Sequence, residues 1–172
     1  SGNVLPTLLA AFAELGPDAR IAYGPDTYMG RNLRRLLGSL ADELTDDEIR
    51  ASLDARHDRA SLRDAAERLD VFEQGHCAVH HHFGGGVARR VAEEYAARPE
   101  DTYVTAHLEV PGDMFELALR AKRDGRGAVG STSDILNFIV AETRRRGRAG
   151  RARGAAPLRF ILGTEAGMAA AV

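Results

Sequence analysis

The only cysteine of the chain, Cys77, stands in the stretch FEQGHCAVHHHF, between His76 and a run of His80, His81 and His82. A thiolate and imidazoles are soft or borderline ligands for transition metals, and Cys77 with His80 makes a Cys-x-x-His spacing that zinc can use. A closed structural zinc site normally takes four ligands, with thiolates prominent among them, and His76, His81 and His82 could join only with strained local geometry. Cys77 therefore reads either as a buried free cysteine, which is common, or as one fraction of a site whose other parts lie outside this chain. Gly75 and the Gly84–Gly86 run mark the segment as a loop in which backbone must approach something closely.

A second constellation is His107-Leu108-Glu109, at the end of the strand-like run Tyr103–His107. Side chains alternate along an extended backbone, so His107 and Glu109 are expected to point to one side. There an imidazole and a carboxylate could bind polar substrate groups or move protons, or they could simply cap the sheet and face water. A third, Gly130-Ser131-Thr132-Ser133, opens a helical pattern, where free backbone N–H groups and hydroxyls seat a carboxylate or phosphate. Such residues more often serve as plain N-caps. Ser1 raises the same two readings. The run RRRGRAGRARG, Arg144–Gly154, could attract RNA electrostatically, but it has no interleaved aromatic for base stacking and reads better as a solvated loop.

These residues have to be positioned by secondary structure. Val4, Leu5, Leu8, Leu9 and Phe12 repeat at helical spacing and Gly16-Pro17 ends that helix. Residues 20–24 read as a buried strand stopping at Gly24-Pro25-Asp26, before a helix through Leu33, Leu36 and Leu37. Thr45 with Glu48, and more weakly Ser61 with Asp64, suggest capping boxes, so residues 41–69 read as two short, charged, inserted surface helices. A helix is expected from about Val87 to Ala97, another over Met114–Ala121 closed by Gly125, a third from the Ser131 cap through Ile135, Leu136, Ile139 and Val140, and a strand over Leu158–Gly163 ending at Thr164-Glu165. SGNVLPTLLAAF…RIAYGPD and GSTSDILNFIVA…RFILGTE share one order of serine cap, helix, strand and Gly-x-acid, an internal duplication or generic α/β grammar. Alternating strands and helices predict an α/β fold with parallel sheets, and ligands in such sheets gather at the carboxyl ends of strands.

Bulk properties narrow the function. With 172 residues, 44% hydrophobic and 28% charged, the chain can bury a core of one domain or two small ones. A net charge of −2 provides no global attraction to nucleic acid or an anionic membrane, and no apolar run approaches the ~20 residues that span a bilayer. One cysteine cannot form an internal disulfide, which fits a reducing compartment. The chain opens on Ser1 without an initiator methionine, in a helix-start pattern, so it is expected to be a piece of something longer.

The ordered motifs SGNV, YGPDTYMGRN, FEQGHCAVHHHF, AHLEVPGDMFELA, AVGSTSDILNFI and FILGTEAGM resemble the quinolinate synthase family of NAD biosynthesis over nearly the whole chain, apart from residues 41–69 and the basic loop. The HLEVPG and VGST wording is closer to plant and algal members, which implies the plastid stroma; a bacterial source would imply the cytoplasm. The resemblance implies three-layer α/β/α units with short parallel sheets, set in a pseudo-threefold arrangement of domains. Residues 1–100 would be the latter part of the second domain and residues 101–172 the first part of the third, truncated at its C-terminus. It implies a 4Fe-4S cluster held by one cysteine per domain and the condensation of iminoaspartate with dihydroxyacetone phosphate, losing phosphate and water. Cys77 would be the middle cluster ligand. His107 and Glu109 match a His-Pro-Glu substrate motif, with Leu108 in place of proline; Ser131 and Thr132 match the substrate-binding Gly-Ser-Thr, and Ser1 the serine of an equivalent helix start. His80 is expected near the cluster, as a proton carrier. The first domain with its cysteine and its Tyr and Asn substrate residues, and a third cysteine beyond Val172, are missing. The chain alone is thus expected to be inactive and iron-free, while the intact enzyme would act on small molecules, as a homodimer or with a sulfur-transfer domain, and not on nucleic acid or membrane. The alternatives are a non-catalytic metal- or anion-binding module and, last, RNA binding through the arginine loop.

Overall fold

A computed structural model describes residues 2–148 and 157–164. By internal contacts the chain divides into two compact units, Asn3–His76 and Cys77–Val172 with Ser1–Gly2.

In the first unit, helix α1 (Val4–Leu15) buries Leu8, Leu9 and Phe12 at the helical spacing read from the sequence. Strand β1 (Ile21–Tyr23) is half-exposed where a buried strand is expected, because its three residues pair with a single partner, the parallel strand β2 (Leu69–Val71). Between them run α2 (Thr27–Glu43), α3 (Asp46–Ser52) and α4 (Arg59–Arg68). The Asp26 carboxylate starts α2 by accepting the Met29 N–H at 2.7 Å. Thr45 and Glu48 form the expected capping box on α3. On α4 the box is Asp58 with Ser61, one turn earlier than Ser61 with Asp64. Nor are these helices surface appendages: Ile49, Leu62, Ala65 and Leu69 are fully buried and α4 packs along α2. The sequence misleads here because charged residues outnumber apolar ones on short helices whose large apolar residues, Ile49 and Leu62, face inward.

Two features close this unit. His57, 4% exposed, places Nε2 at 2.8 Å from the Leu9 carbonyl of α1 and Nδ1 at 3.1 Å from the Ser61 hydroxyl of α4. Thr27 accepts from the Gly75 N–H with its hydroxyl oxygen, donates that hydroxyl to the Phe72 carbonyl and gives its own N–H to the Gly75 carbonyl. This clamps the Phe72–Gly75 turn on the start of α2. A Cβ on Gly75 would lie 1.9 Å from the Pro25 carbonyl oxygen, so no other residue fits.

In the second unit, α5 (Ala78–His81) is a single turn followed by α6 (Gly86–Ala97), β3 (Thr102–His107), α7 (Gly112–Arg123), β4 (Gly127–Gly130), α8 (Thr132–Arg148) and β5 (Arg159–Gly163). The strands form a parallel sheet in the order β4-β3-β5. Every residue of β3 is buried, as a central strand covered on both faces requires. On one face Tyr103 stacks on Phe160 with centroids 5.0 Å apart and meets Phe138 of α8, while Ile135 and Ile139 pack with Leu136, Phe160 and Leu162. The other face carries α7, whose Met114 approaches Gly163. The unit is therefore a three-layer α/β/α sandwich with a short parallel sheet, and the first unit has a parallel pair of its own. Consecutive crossovers in opposite directions put α7 and α8 on opposite faces. Of the basic run, Arg144–Arg148 continue α8 instead of forming a loop, and residues 149–154 lie outside the described residues. No helix among the described residues is long and apolar enough to cross a membrane.

The packing of α6 on α7 makes pH a probe of this unit. The Tyr95 phenol is pushed up to about 12, first by burial and then by the hydrogen bond it donates to Asp124 at 2.9 Å. A raised folded-state value stabilises fully below the unfolded phenol's ~10 and is lost as pH climbs from there towards 12. Denaturant titrations of Tyr95→Phe should therefore show a shallower loss of stability over that alkaline range than the parent chain. In the first unit, His57→Ala removes the imidazole that links the Leu9 carbonyl to the Ser61 hydroxyl and leaves a cavity in its place, and should lower stability by about 1–3 kcal/mol in the same measurement.

Candidate functional site

The tip of β3 assembles the site. His107 is the strand's last residue, and the chain then turns, with the Val110 N–H donated to the His107 carbonyl at 3.3 Å. Glu109 therefore lies in a turn, and strand alternation is not what pairs it with His107. The turn folds the Glu109 backbone onto the imidazole, and the Glu109 N–H donates to His107 Nδ1 at 3.3 Å. That bond uses the Nδ1 lone pair, which places the proton of a neutral His107 on Nε2. The Glu109 carboxylate then takes its short polar contact from the other side, with Oε2 3.3 Å from His80 Nδ1, while Oε1 stands 4.0 Å from His107 Nδ1.

His80 reaches this point from α5. Cys77 is the N-cap residue of that turn and His80 lies one turn on, so both project from one face. The His80 and His107 rings stack with centroids 4.9 Å apart and planes 9° apart, and both are 5% exposed. Phe83 closes the far side of His80 at 6.1 Å. Cys77 Sγ, a His80 ring nitrogen and a Glu109 carboxylate oxygen all lie within 4.8 Å of one another. The sulfur is half-buried, His80 buried and the Glu109 side chain about a quarter exposed. A thiol, an imidazole and a carboxylate thus converge at the carboxyl end of the central strand.

The remaining sequence candidates fall around this centre unevenly. Leu108 is 4% exposed and gives its N–H to the Gly130 carbonyl, so its side chain is part of the packing. That bond aligns the β3 tip with the start of α8. Ser131, also 4% exposed, is engaged as a cap: its N–H and hydroxyl both donate to Asp134 Oδ2, at 2.8 and 2.7 Å, and its oxygen faces the Asp134 N–H at 3.3 Å. The exposed hydroxyl residues at this helix start are Thr132 and Ser133. Ser1 lies outside the described residues; its neighbour Gly2 runs beside Ser131, where a Cβ would sit 3.6 Å from Ser131 Oγ. His81 and His82 are exposed and take no part in the cluster with Cys77. Sequence reasoning missed the stacking of His80 on His107 and the role of Asp134; the Ser-x-x-Asp spacing was the available signal for the latter.

The fold and site define a parallel α/β segment with a thiol–imidazole–carboxylate centre at a strand tip. No family model matches the chain. It is 45% identical over 175 residues to a chloroplastic quinolinate synthase of Nicotiana tabacum, covering 100% of this chain and 22% of that protein. Similar proteins of the same name are found in Arabidopsis thaliana, 41% identical over 100% of the chain and 23% of the relative, and in Oryza sativa subsp. japonica, 40% identical over 98% and 22%. The chain is thus a homologue, along its whole length, of one segment of the plant quinolinate synthases, and spans about a fifth of their length.

Gly130 tests how the β3 tip and α8 are locked. A Cβ there would lie 2.6 Å from Asp134 Oδ2. Gly130→Ala should displace that carboxylate from the Ser131 cap, accelerate amide exchange at Asp134 and Ile135, and cost about 1 kcal/mol of stability.

Proposed function

We propose that this chain is the middle segment of a plastid quinolinate synthase, an enzyme of NAD biosynthesis that condenses iminoaspartate with dihydroxyacetone phosphate to quinolinate. On this reading residues 1–100 close the second of three α/β/α domains and residues 101–172 open the third, around a pseudo-threefold axis. The observation that carries the reading is the convergence of Cys77, His80 and Glu109 within 4.8 Å, in a chain 45% identical throughout to a chloroplastic enzyme of that name.

The donor chemistry fits one corner of a 4Fe-4S cluster. Cys77 is half-buried, has a polar surround and would hold one iron; no other thiolate exists in the chain. When bound in the whole protein, the cluster supplies an iron without a protein ligand, a Lewis acid for a substrate oxygen or nitrogen. The chain's own residues supply the rest. Glu109, 3.3 Å from His80 Nδ1, accepts a proton from a substrate carbon or nitrogen, and His80 accepts or returns it through Nδ1 once the pair turns into hydrogen-bond alignment. The buried His107 ring fixes the plane of His80 and, through its bond from the Glu109 N–H, the reach of the carboxylate. The exposed Thr132 hydroxyl at the start of the 17-residue α8 serves a substrate carboxylate or phosphate, while Ser131 holds the cap that presents it.

Two experiments test this. In the whole protein, Glu109→Gln should leave the cluster spectrum intact and lower kcat by about 10²–10⁴-fold, whereas Cys77→Ser should remove cluster and turnover together; a Glu109→Gln enzyme with undiminished kcat would overturn the relay. For the 172-residue chain alone, reconstitution with iron and sulfide should give neither a stable four-iron spectrum nor turnover, and a full cluster on every chain would refute the one-corner assignment.

A further inference from the structure

The cluster reading uses Cys77 alone as a ligand, yet the structure sets three chemically different donors around one point. For metal–ligand bonds of ~2.0–2.3 Å, the edges of a tetrahedral site measure roughly 3.3–3.8 Å. His80 Nδ1 and Glu109 Oε2 are already 3.3 Å apart, and the whole set with Cys77 lies within 4.8 Å, so closure needs a movement of about an ångström. The buried His80 donor is held by the His107 ring stacked on it, and the Glu109 main chain is fixed by its N–H bond to His107 Nδ1. Ligands oriented by such neighbours lose less freedom on binding. One thiolate, one imidazole and one carboxylate favour a borderline divalent ion, zinc, iron(II) or cobalt(II), over calcium or magnesium, and three protein ligands leave a fourth position open to water.

We propose that Cys77, His80 and Glu109 bind a single divalent transition-metal ion in the 172-residue chain. The site is independent of any cluster and needs none of the cysteines outside this chain. Binding replaces the thiol proton by the metal: the S–H bond breaks, one proton leaves to solvent and the sulfur–metal bond forms, with no change of oxidation state. A mononuclear ion and a cluster corner then compete for the same sulfur. In the whole protein this makes the site a point of mismetallation, where zinc blocks cluster assembly without displacing anything already bound.

The probe is cobalt(II), titrated anaerobically into the 172-residue chain, whose thiolate-to-metal absorption and d–d bands report sulfur ligation and tetrahedral geometry. One equivalent should bind with release of about one proton, and zinc should displace it. Cys77→Ser should abolish the thiolate band. Glu109→Gln and His80→Ala should each weaken binding at least tenfold, while His82→Ala, an exposed residue outside the cluster, should bind like the parent. The Glu109 variant is decisive, because a local Cys-x-x-His chelate in a loosened loop does not need a carboxylate from the β3 tip. Unchanged affinity in Glu109→Gln with native circular dichroism, or no thiolate band at stoichiometric cobalt, would overturn the proposal. Either result leaves the cluster assays on the whole protein untouched, so the two readings fail separately.

Discussion

Everything at the site depends on one constraint: the chain turns immediately after β3, which sets the Glu109 carboxylate beside a pair of stacked imidazoles. The Glu109 N–H closes on His107 Nδ1 and its Oε2 meets His80 Nδ1, so backbone and side chain of one residue are fixed by rings from two separate segments. With the ring planes 9° apart, His107 Nδ1 takes the backbone N–H of Glu109 while His80 Nδ1 faces its carboxylate. Both rings are buried while the carboxylate keeps about a quarter of its surface exposed, so the contact lies at the edge of the core. Cys77 enters this arrangement only because it lies one turn before His80 on α5.

The sheet explains why the turn occurs there. β3 is the central strand, buried along its length, with β4 and β5 on either side. Its carboxyl end is flanked by the start of α8. The Leu108 N–H to Gly130 carbonyl bond ties the two together, and the Ser131–Asp134 cap ties α8 in turn. Polar residues with chemistry to do are thus gathered by topology at the carboxyl end of a strand in a parallel sheet.

How far this was legible from the sequence depends on the length over which each signal repeats. Helices α2, α6 and α7 repeat their apolar spacing over several turns and were found close to where they lie. β2 and β4 were missed: one alternates over only three residues on the end of a charged helix, and the other is the glycine-rich Gly127–Gly130 with no β-branched run. Gly127 is dictated by tertiary packing, since a Cβ there would lie 2.6 Å from the Val104 carbonyl oxygen, a reason no local window contains. The same holds for α3 and α4, whose surface composition concealed Ile49 and Leu62 at zero exposure.

The site divides along the same line. The residue types that matter, Cys77, His80, His107 and Glu109, stand out because thiol, imidazole and carboxylate are chemically distinctive, and Cys77 with His80 is a local spacing. The stacking of His80 on His107 joins positions far apart in the chain, so it depends on the fold, and no spacing rule contains it. Ser131 and Thr132 show the converse: their types match, yet the hydroxyl of Ser131 is committed to Asp134 and only Thr132 is exposed. A motif identifies which atoms are available in principle; the hydrogen bonds already made decide which remain for a ligand. By that criterion the carboxylate at the strand tip, beside the stacked rings and the sulfur, is the group on which both the proposed proton relay and the proposed metal site turn.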